Sequence, residues 1–174
     1  MQFAKDSFFL ALQERLAGLN PRRTVTVNGT TVPAVVVSEN LPPSFAELQP
    51  NTFYIEWGEA EVMEGHPGGA PLMSLDVVIS YYTLGSVASM VDRGRVLGQL
   101  DRELLSICQP PNTEKRDYAQ APSADLGTSV FWGQPSLGER SKTGVTDSGE
   151  RHQDSRVERR ARPTLYFFPG VILA

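Results

Sequence analysis

The stretch from Asn51 to Cys108 constrains this chain more than any other. It opens with two strand-like runs, Thr52–Glu61 and Leu72–Thr83. A Gly/Pro-rich connection, Glu64-Gly65-His66-Pro67-Gly68-Gly69-Ala70-Pro71, joins them. In the second run Leu75, Val77, Ile79 and Tyr81 share one face, and Val77-Val78-Ile79 is apolar on both, as in an interior strand covered on both sides. In the first run Phe53, Ile55 and Trp57 alternate with Tyr54, Glu56 and Gly58, which predicts one wetter face. The amphipathic segment Ser86–Cys108 follows. Its apolar stripe is Val87, Met90/Val91, Gly94, Leu97, Leu100/Asp101, Leu104 and Cys108; Asp92, Arg95, Gln99, Arg102/Glu103 and Ser106 fall opposite. Ser89 with Asp92, or Ser86, can begin it, and Pro110-Pro111 ends it. Gly94 on the stripe predicts a close approach to the sheet or to a neighbouring chain. Strand, loop, strand, helix implies a sheet with a helix laid across one face.

The flanking segments extend this plan. Ala4–Leu19 reads as a first helix with Phe9, Leu12, Leu16 and Leu19 as its stripe, Phe8 beside it, and Asp6, Gln13, Glu14 and Arg15 on the wet side. Gly18 and Asn20-Pro21 end it. Thr24–Val27 and Thr31–Val37 surround Asn28-Gly29, a hairpin signal, and Pro33 belongs at an edge or bulge. After Cys108, residues 109–128 read as a Pro-rich extended arm, Ser129–Trp132 as a short strand, and Pro163–Phe168 as a closing strand. The fold class expected is α/β (α+β): one domain over residues 1–174, with a mixed, mostly antiparallel sheet, an N-terminal helix, one long amphipathic helix and long polar loops.

Composition matters most in Gly133–Arg162, which has four aliphatic residues amid charge, Ser and Gly. It cannot repay its own ordering entropy alone and is expected to be a long polar loop, functional or disordered. It holds seven basic and five acidic residues, a charge of +2, which leaves −6 for the rest of a chain at −4. The acidic balance argues against a dedicated nucleic-acid binder. One cysteine excludes an intramolecular disulfide. No run of about 18 apolar residues predicts a membrane span, and no secretory pattern opens the chain, so synthesis in the cytoplasm is expected.

Candidate chemistry is sparse. His66 and His152 lie in loops, without further histidines or cysteines at metal spacing, and no metal or cofactor is expected. Cys108 reads as a buried structural thiol. Asp101 and Glu103 are two positions apart on a helix and point apart, which does not favour paired acid/base work. The His-Pro-Gly-Gly run lacks the lysine and strand–loop–helix context of a phosphate cradle, and Gly-x-Ser-x-Gly does not occur. Arg156, Arg159, Arg160 and Arg162 form the dense basic cluster, readable as an anion contact or as a solvated stretch with Asp154 and Glu158 interleaved. Trp57 and Trp132 read as core or inter-subunit packing.

The order of elements resembles the tail-terminator (tail-completion, neck) proteins of long-tailed bacteriophages and phage-like particles. The likeness is carried by the first helix running into Leu19-Asn20-Pro21-Arg22-Arg23-Thr24-Val25, the hairpin, and the strands Phe53-Tyr54-Ile55-Glu56-Trp57 and Asp76-Val77-Val78-Ile79-Ser80-Tyr81-Tyr82. The helix Asp92-Arg93-Gly94-Arg95-Val96-Leu97-Gly98-Gln99-Leu100-Asp101 completes it. It covers residues 1–108 and the closing strand; 133–162 has no counterpart in it. The resemblance implies a non-enzymatic virion protein. Its homo-oligomer would be a hexameric ring, joined to the tail tube protein (and the sheath, in a contractile tail) and to the head–tail connector. DNA would pass through the lumen without specific binding, and no membrane would be involved.

Ring contacts are heterologous, so each subunit needs two different patches. The candidate interface residues are Pro110, Pro111 and Tyr118 in the arm, Trp132, the cluster residues Arg156, Arg159 and Arg160, and Val171, Ile172 and Leu173 in the apolar tail. Two other readings stay open. One is a small adaptor that binds nucleic acid or an acidic partner through Arg156–Arg162. The other is an enzyme with a pocket at His66 or Asp101.

Overall fold

The computed structural model describes residues 1–41, 48–63, 71–85, 92–143 and 156–169. The chain begins with α1 (Gln2–Leu19), then the strands β1 (Thr24–Val27), β2 (Thr30–Pro33) and β3 (Val35–Val37). The long strands β4 (Phe53–Met63) and β5 (Leu72–Thr83) follow, then α2 (Asp92–Ile107). The remaining strands are β6 (Asn112–Asp117), β7 (Ala124–Trp132), β8 (Ser136–Leu137), β9 (Ser141–Thr143), β10 (Arg156–Arg162) and β11 (Thr164–Phe167). The class is α+β, with a mostly antiparallel mixed sheet, as the sequence predicts. The proposed helix starts at Ser86 and Ser89, the His66 loop, His152 and the tail Val171–Ala174 lie outside the described residues.

The main sheet runs β3-β4-β5-β11-β7-β6. The β3–β4 pair is parallel and the other neighbours are antiparallel. β5 is its spine. It pairs with β4 on one side; on the other it meets β10 through Ile79–Thr83 and β11 through Met73–Asp76. Pro163 separates β10 from β11, and its carbonyl accepts from Val77 N at 3.1 Å. There the sheet forks: β10 carries β8 and β9, whereas β11 carries β7. β1 and β2 form a separate hairpin whose Asn28 and Gly29 take φ of 50° and 77°, as the Asn-Gly signal predicts. The expected run Thr31–Val37 therefore divides at Pro33 into a hairpin strand and an edge strand of the main sheet.

Both helices lie on one face. Phe8 of α1 meets Trp132 and Trp57 edge-on, at 5.0 and 6.3 Å between ring centroids. The Tyr81 hydroxyl donates to Asp101 of α2 at 2.7 Å. Register places these contacts on the face that carries Leu75, Val77, Ile79, Leu165 and Phe167, all buried in one core. Among the described residues the other face is covered at one end, where Val36, Tyr54 and Tyr82 are buried, and open beyond it. Asp76 is exposed and Val78 and Ser80 are half-buried, so Val77-Val78-Ile79 is fully covered on one side and only partly on the other, which narrows the two-sided expectation. An antiparallel sheet tolerates this because hairpin connections need no helix on the second face.

Four further expectations are revised. On α1 the buried stripe is Ala4, Phe8, Ala11, Leu12 and Leu16, while Leu19 is exposed. Gly94 is exposed, and a Cβ there would meet nothing within 4 Å, so it serves no close approach within the subunit. The segment 109–128, expected as a Pro-rich extended arm, supplies β6 and the start of β7, an antiparallel hairpin in the sheet. Likewise 133–162 is not one polar loop: β8, β9 and β10 come from it, and β10 lies against the spine. Composition hid this because β10 reads Arg-Val-Glu-Arg-Arg-Ala-Arg, and only Ala161 is fully buried.

Candidate functional site

The arginine cluster is divided by the two-residue period of its strand. Arg159 lies opposite Tyr81 and faces α2. Its Nε stands 3.1 Å from Asp101 Oδ1, without hydrogen-bond alignment, so the contact is an ion pair; Nη1 donates to the Gly138 carbonyl at 3.0 Å. Asp101, itself buried, thereby joins α2 to β5 and β10. Burial and the bond to Asp101 raise the Tyr81 phenol well above its ordinary value. Arg156, Glu158, Arg160 and Arg162 alternate onto the open face. Arg156 lies 5.2 Å from the Tyr82 ring centroid, with its Nε 3.6 Å from Glu158. Arg160 and Arg162 are exposed and meet no carboxylate among the described residues. A cleft of about 170 Å³ here is lined in part by Tyr54, Glu56, Ser80, Tyr82, Glu158 and Arg160. All three of the tyrosines that line it are engaged: Tyr54 with Gln49 N and O, Tyr82 with Leu48 O, and Tyr81 with Asp101.

The other buried polar groups bind elements of the fold to one another. Glu103, expected on the wet side, is buried. It accepts from Arg23 Nε and Nη2 at 2.8 and 3.0 Å, from Asn20 at 2.8 Å and from Gln99 at 3.1 Å. Burial opposes its charge, but Arg23 and the amide donors outweigh it, so its carboxyl sits below the ordinary range. Asp101 and Glu103 thus serve separate networks. Arg15, also expected to be wet, donates to the carbonyls of Ile107, Pro110 and Asn112 at 3.0, 2.8 and 2.7 Å and lies over Trp132. Lys115 is 2% exposed, and its ammonium donates to Phe168 O at 2.7 Å; burial lowers its pKa. No sequence signal marked these cations as interior, because their partners are mostly backbone carbonyls from distant segments.

The candidate interface residues separate accordingly. Pro110 and Pro111 are exposed beside the Arg15 clamp. Tyr118 is 38% exposed and lines a shallow depression with Glu14 and Arg116. Trp132 is 4% exposed, and its indole donates to Cys108 O at 2.9 Å, so it belongs to the core of the subunit. Cys108 is fully buried and its thiol is pushed up to about 12. Sequence reasoning overlooked the outer half of the β4–β5 hairpin. β3 covers β4 only through Ile55, and residues 58–63 are exposed, with Val62 at 66% and Met63 at 41%. The signal was present as Glu59-Ala60-Glu61-Val62, an alternation leading into a Gly/Pro turn. Gly58 lies in a bulge there, where a Cβ would stand 3.1 Å from Asp76.

No family model and no curated protein matches the chain. A solved structure titled "Virion of native gene transfer agent (GTA) particle" is similar at a TM-score of 0.41 and 14% identity, over 94% of this chain and 97% of that one. At that distance the likeness says nothing of what this chain does. Among the described residues no helix is long and apolar enough to cross a membrane, and no cluster of metal-ligating side chains occurs.

Proposed function

We propose that this chain is a structural subunit of a phage-like particle: a tail terminator that closes into a six-membered ring at the head-proximal end of a tail. The ring completes the tail tube and meets the head–tail connector. The observation that carries the reading is the free outer edge of β4. Beyond Ile55 that edge has no strand partner among the described residues, and it ends in exposed apolar side chains. Such an edge is a template for another chain, and soluble monomers ordinarily cover it. The order of elements behind the resemblance, α1, hairpin, β4, β5 and α2, supports the same reading.

The adaptor reading draws less support. Arg159 faces Asp101 and Arg156 faces Tyr82 and Glu158, which leaves a two-arginine surface rather than a four-arginine one. Negative-stain microscopy and sedimentation of the purified protein, alone and with tube protein, test the proposal. Rings or tube-dependent oligomers are expected. A strictly monomeric chain that ignores tube and connector proteins overturns it. Strong salt-dependent DNA binding, abolished by Arg156→Ala, Arg159→Ala and Arg160→Ala, would favour the adaptor instead.

A further inference from the structure

We propose that the acidic outer half of the β4–β5 hairpin of one copy docks on the arginine strand β10 of a second copy of this chain. The inference rests on the self-assembly reading above and names the two surfaces it needs. Glu56, Glu59 and Glu61 are exposed along β4, and none has an ion-pair partner among the described residues. Arg160 and Arg162 are the corresponding open cations on β10. Within one subunit no ion pair joins the two sets: Glu56 and Arg160 border one cleft without pairing, and Glu59 and Glu61 lie farther out along β4. Glu56 lies opposite Val78 on one side of β5, and Arg162 flanks Val78 on the other, since Ala161 lies opposite Ile79. Two strand spacings, about 10 Å, separate their backbones, and no ion pair joins them among the described residues. Each subunit therefore presents two different patches of opposite sign, on separate elements, both unfilled.

A contact between unlike patches is heterologous, and repetition of it closes a ring or extends a filament. Charge sets the register and speeds the encounter, whereas apolar area holds the contact. Val62 and Met63 supply that area at the end of the acidic arm, and Phe131, 45% exposed, lies on the open face. The arm also brings the free β4 edge to its neighbour.

Charge reversal in matched pairs tests this. One variant carries Glu59→Lys and Glu61→Lys; the other carries Arg160→Glu and Arg162→Glu. These side chains are exposed, so melting curves should match wild type and exclude misfolding. Sedimentation velocity is expected to show self-association of each variant weakened about tenfold or more. An equimolar mixture should recover assembly, because the lysine arm then faces the glutamate strand and the acidic arm faces the arginine strand. Wild-type assembly should also weaken as salt rises, since the screening length shrinks from about 10 Å at 0.1 M to about 3 Å at 1 M. Reversed variants that assemble like wild type overturn this contact but leave the ring intact. Folded variants whose mixture stays dissociated overturn it as well. A wild-type chain that never self-associates, with or without tube protein, overturns both the contact and the ring.

Discussion

Replacing Glu103 with Gln keeps the size of the side chain but removes the charge that Arg23 faces. The two partners are 9% and 13% exposed at their side chains, and the contact is bidentate, at 2.8 and 3.0 Å. Breaking a buried pair by removing one member costs about 3–5 kcal/mol. Residual exposure and the surviving amide contacts reduce this to about 2–4 kcal/mol. For a chain of this length that corresponds to roughly 4–16 °C in Tm. The assay is urea or thermal unfolding at low protein concentration, run as a double-mutant cycle with Arg23→Gln. The coupling should be on the order of 2 kcal/mol, because each single change leaves the other group buried without its partner. The pH dependence has a definite sign. The folded carboxyl titrates below the ordinary value, so its stabilisation is complete above the unfolded pKa of about 4.3 and fades as pH falls through the folded one. Glu103→Gln should lack that acid-sensitive component. A loss under about 0.5 kcal/mol, or strict additivity with Arg23→Gln, would refute the view that this pair holds α2 to the turn after α1.

Other outcomes follow from the same networks. Arg15→Lys keeps the charge but cannot reach three carbonyls, and should cost about 2 kcal/mol in urea unfolding. Tyr81→Phe should cost about 1–2 kcal/mol, measured the same way, by leaving Asp101 without its phenol donor. Because the folded Tyr81 phenol titrates above its ordinary value of 10.0, its contribution is intact below that pH and is lost as the pH climbs further; the Phe variant should lose this slope. Native protein should leave a thiol reagent unconsumed at pH 8 and consume one equivalent in denaturant, since Cys108 is fully buried and titrates at about 12. Fast reaction of the native thiol would contradict the packing of α2 on the sheet.

Local pattern by itself determined the parts of this protein whose period exceeds the noise of composition. The alternation in Leu72–Thr83 set the spine strand to the residue, Asn28-Gly29 set the small hairpin, and the three- and four-residue steps through Leu97, Leu100 and Leu104 set the second helix. Only the tertiary structure decided the rest. A strand such as β10, with four arginines in seven residues, is specified by its partners, because hydrogen bonds to β5 and an ion pair to Asp101 do not depend on apolar side chains. Arg15, Arg23, Glu103 and Lys115 look like surface residues in any window, since the groups that hold each of them in the interior lie mostly on distant segments of the chain. The unpaired edge of β4 is likewise a fact of neighbours: β3 stops at Val37, and no local pattern encodes where an adjacent strand ends.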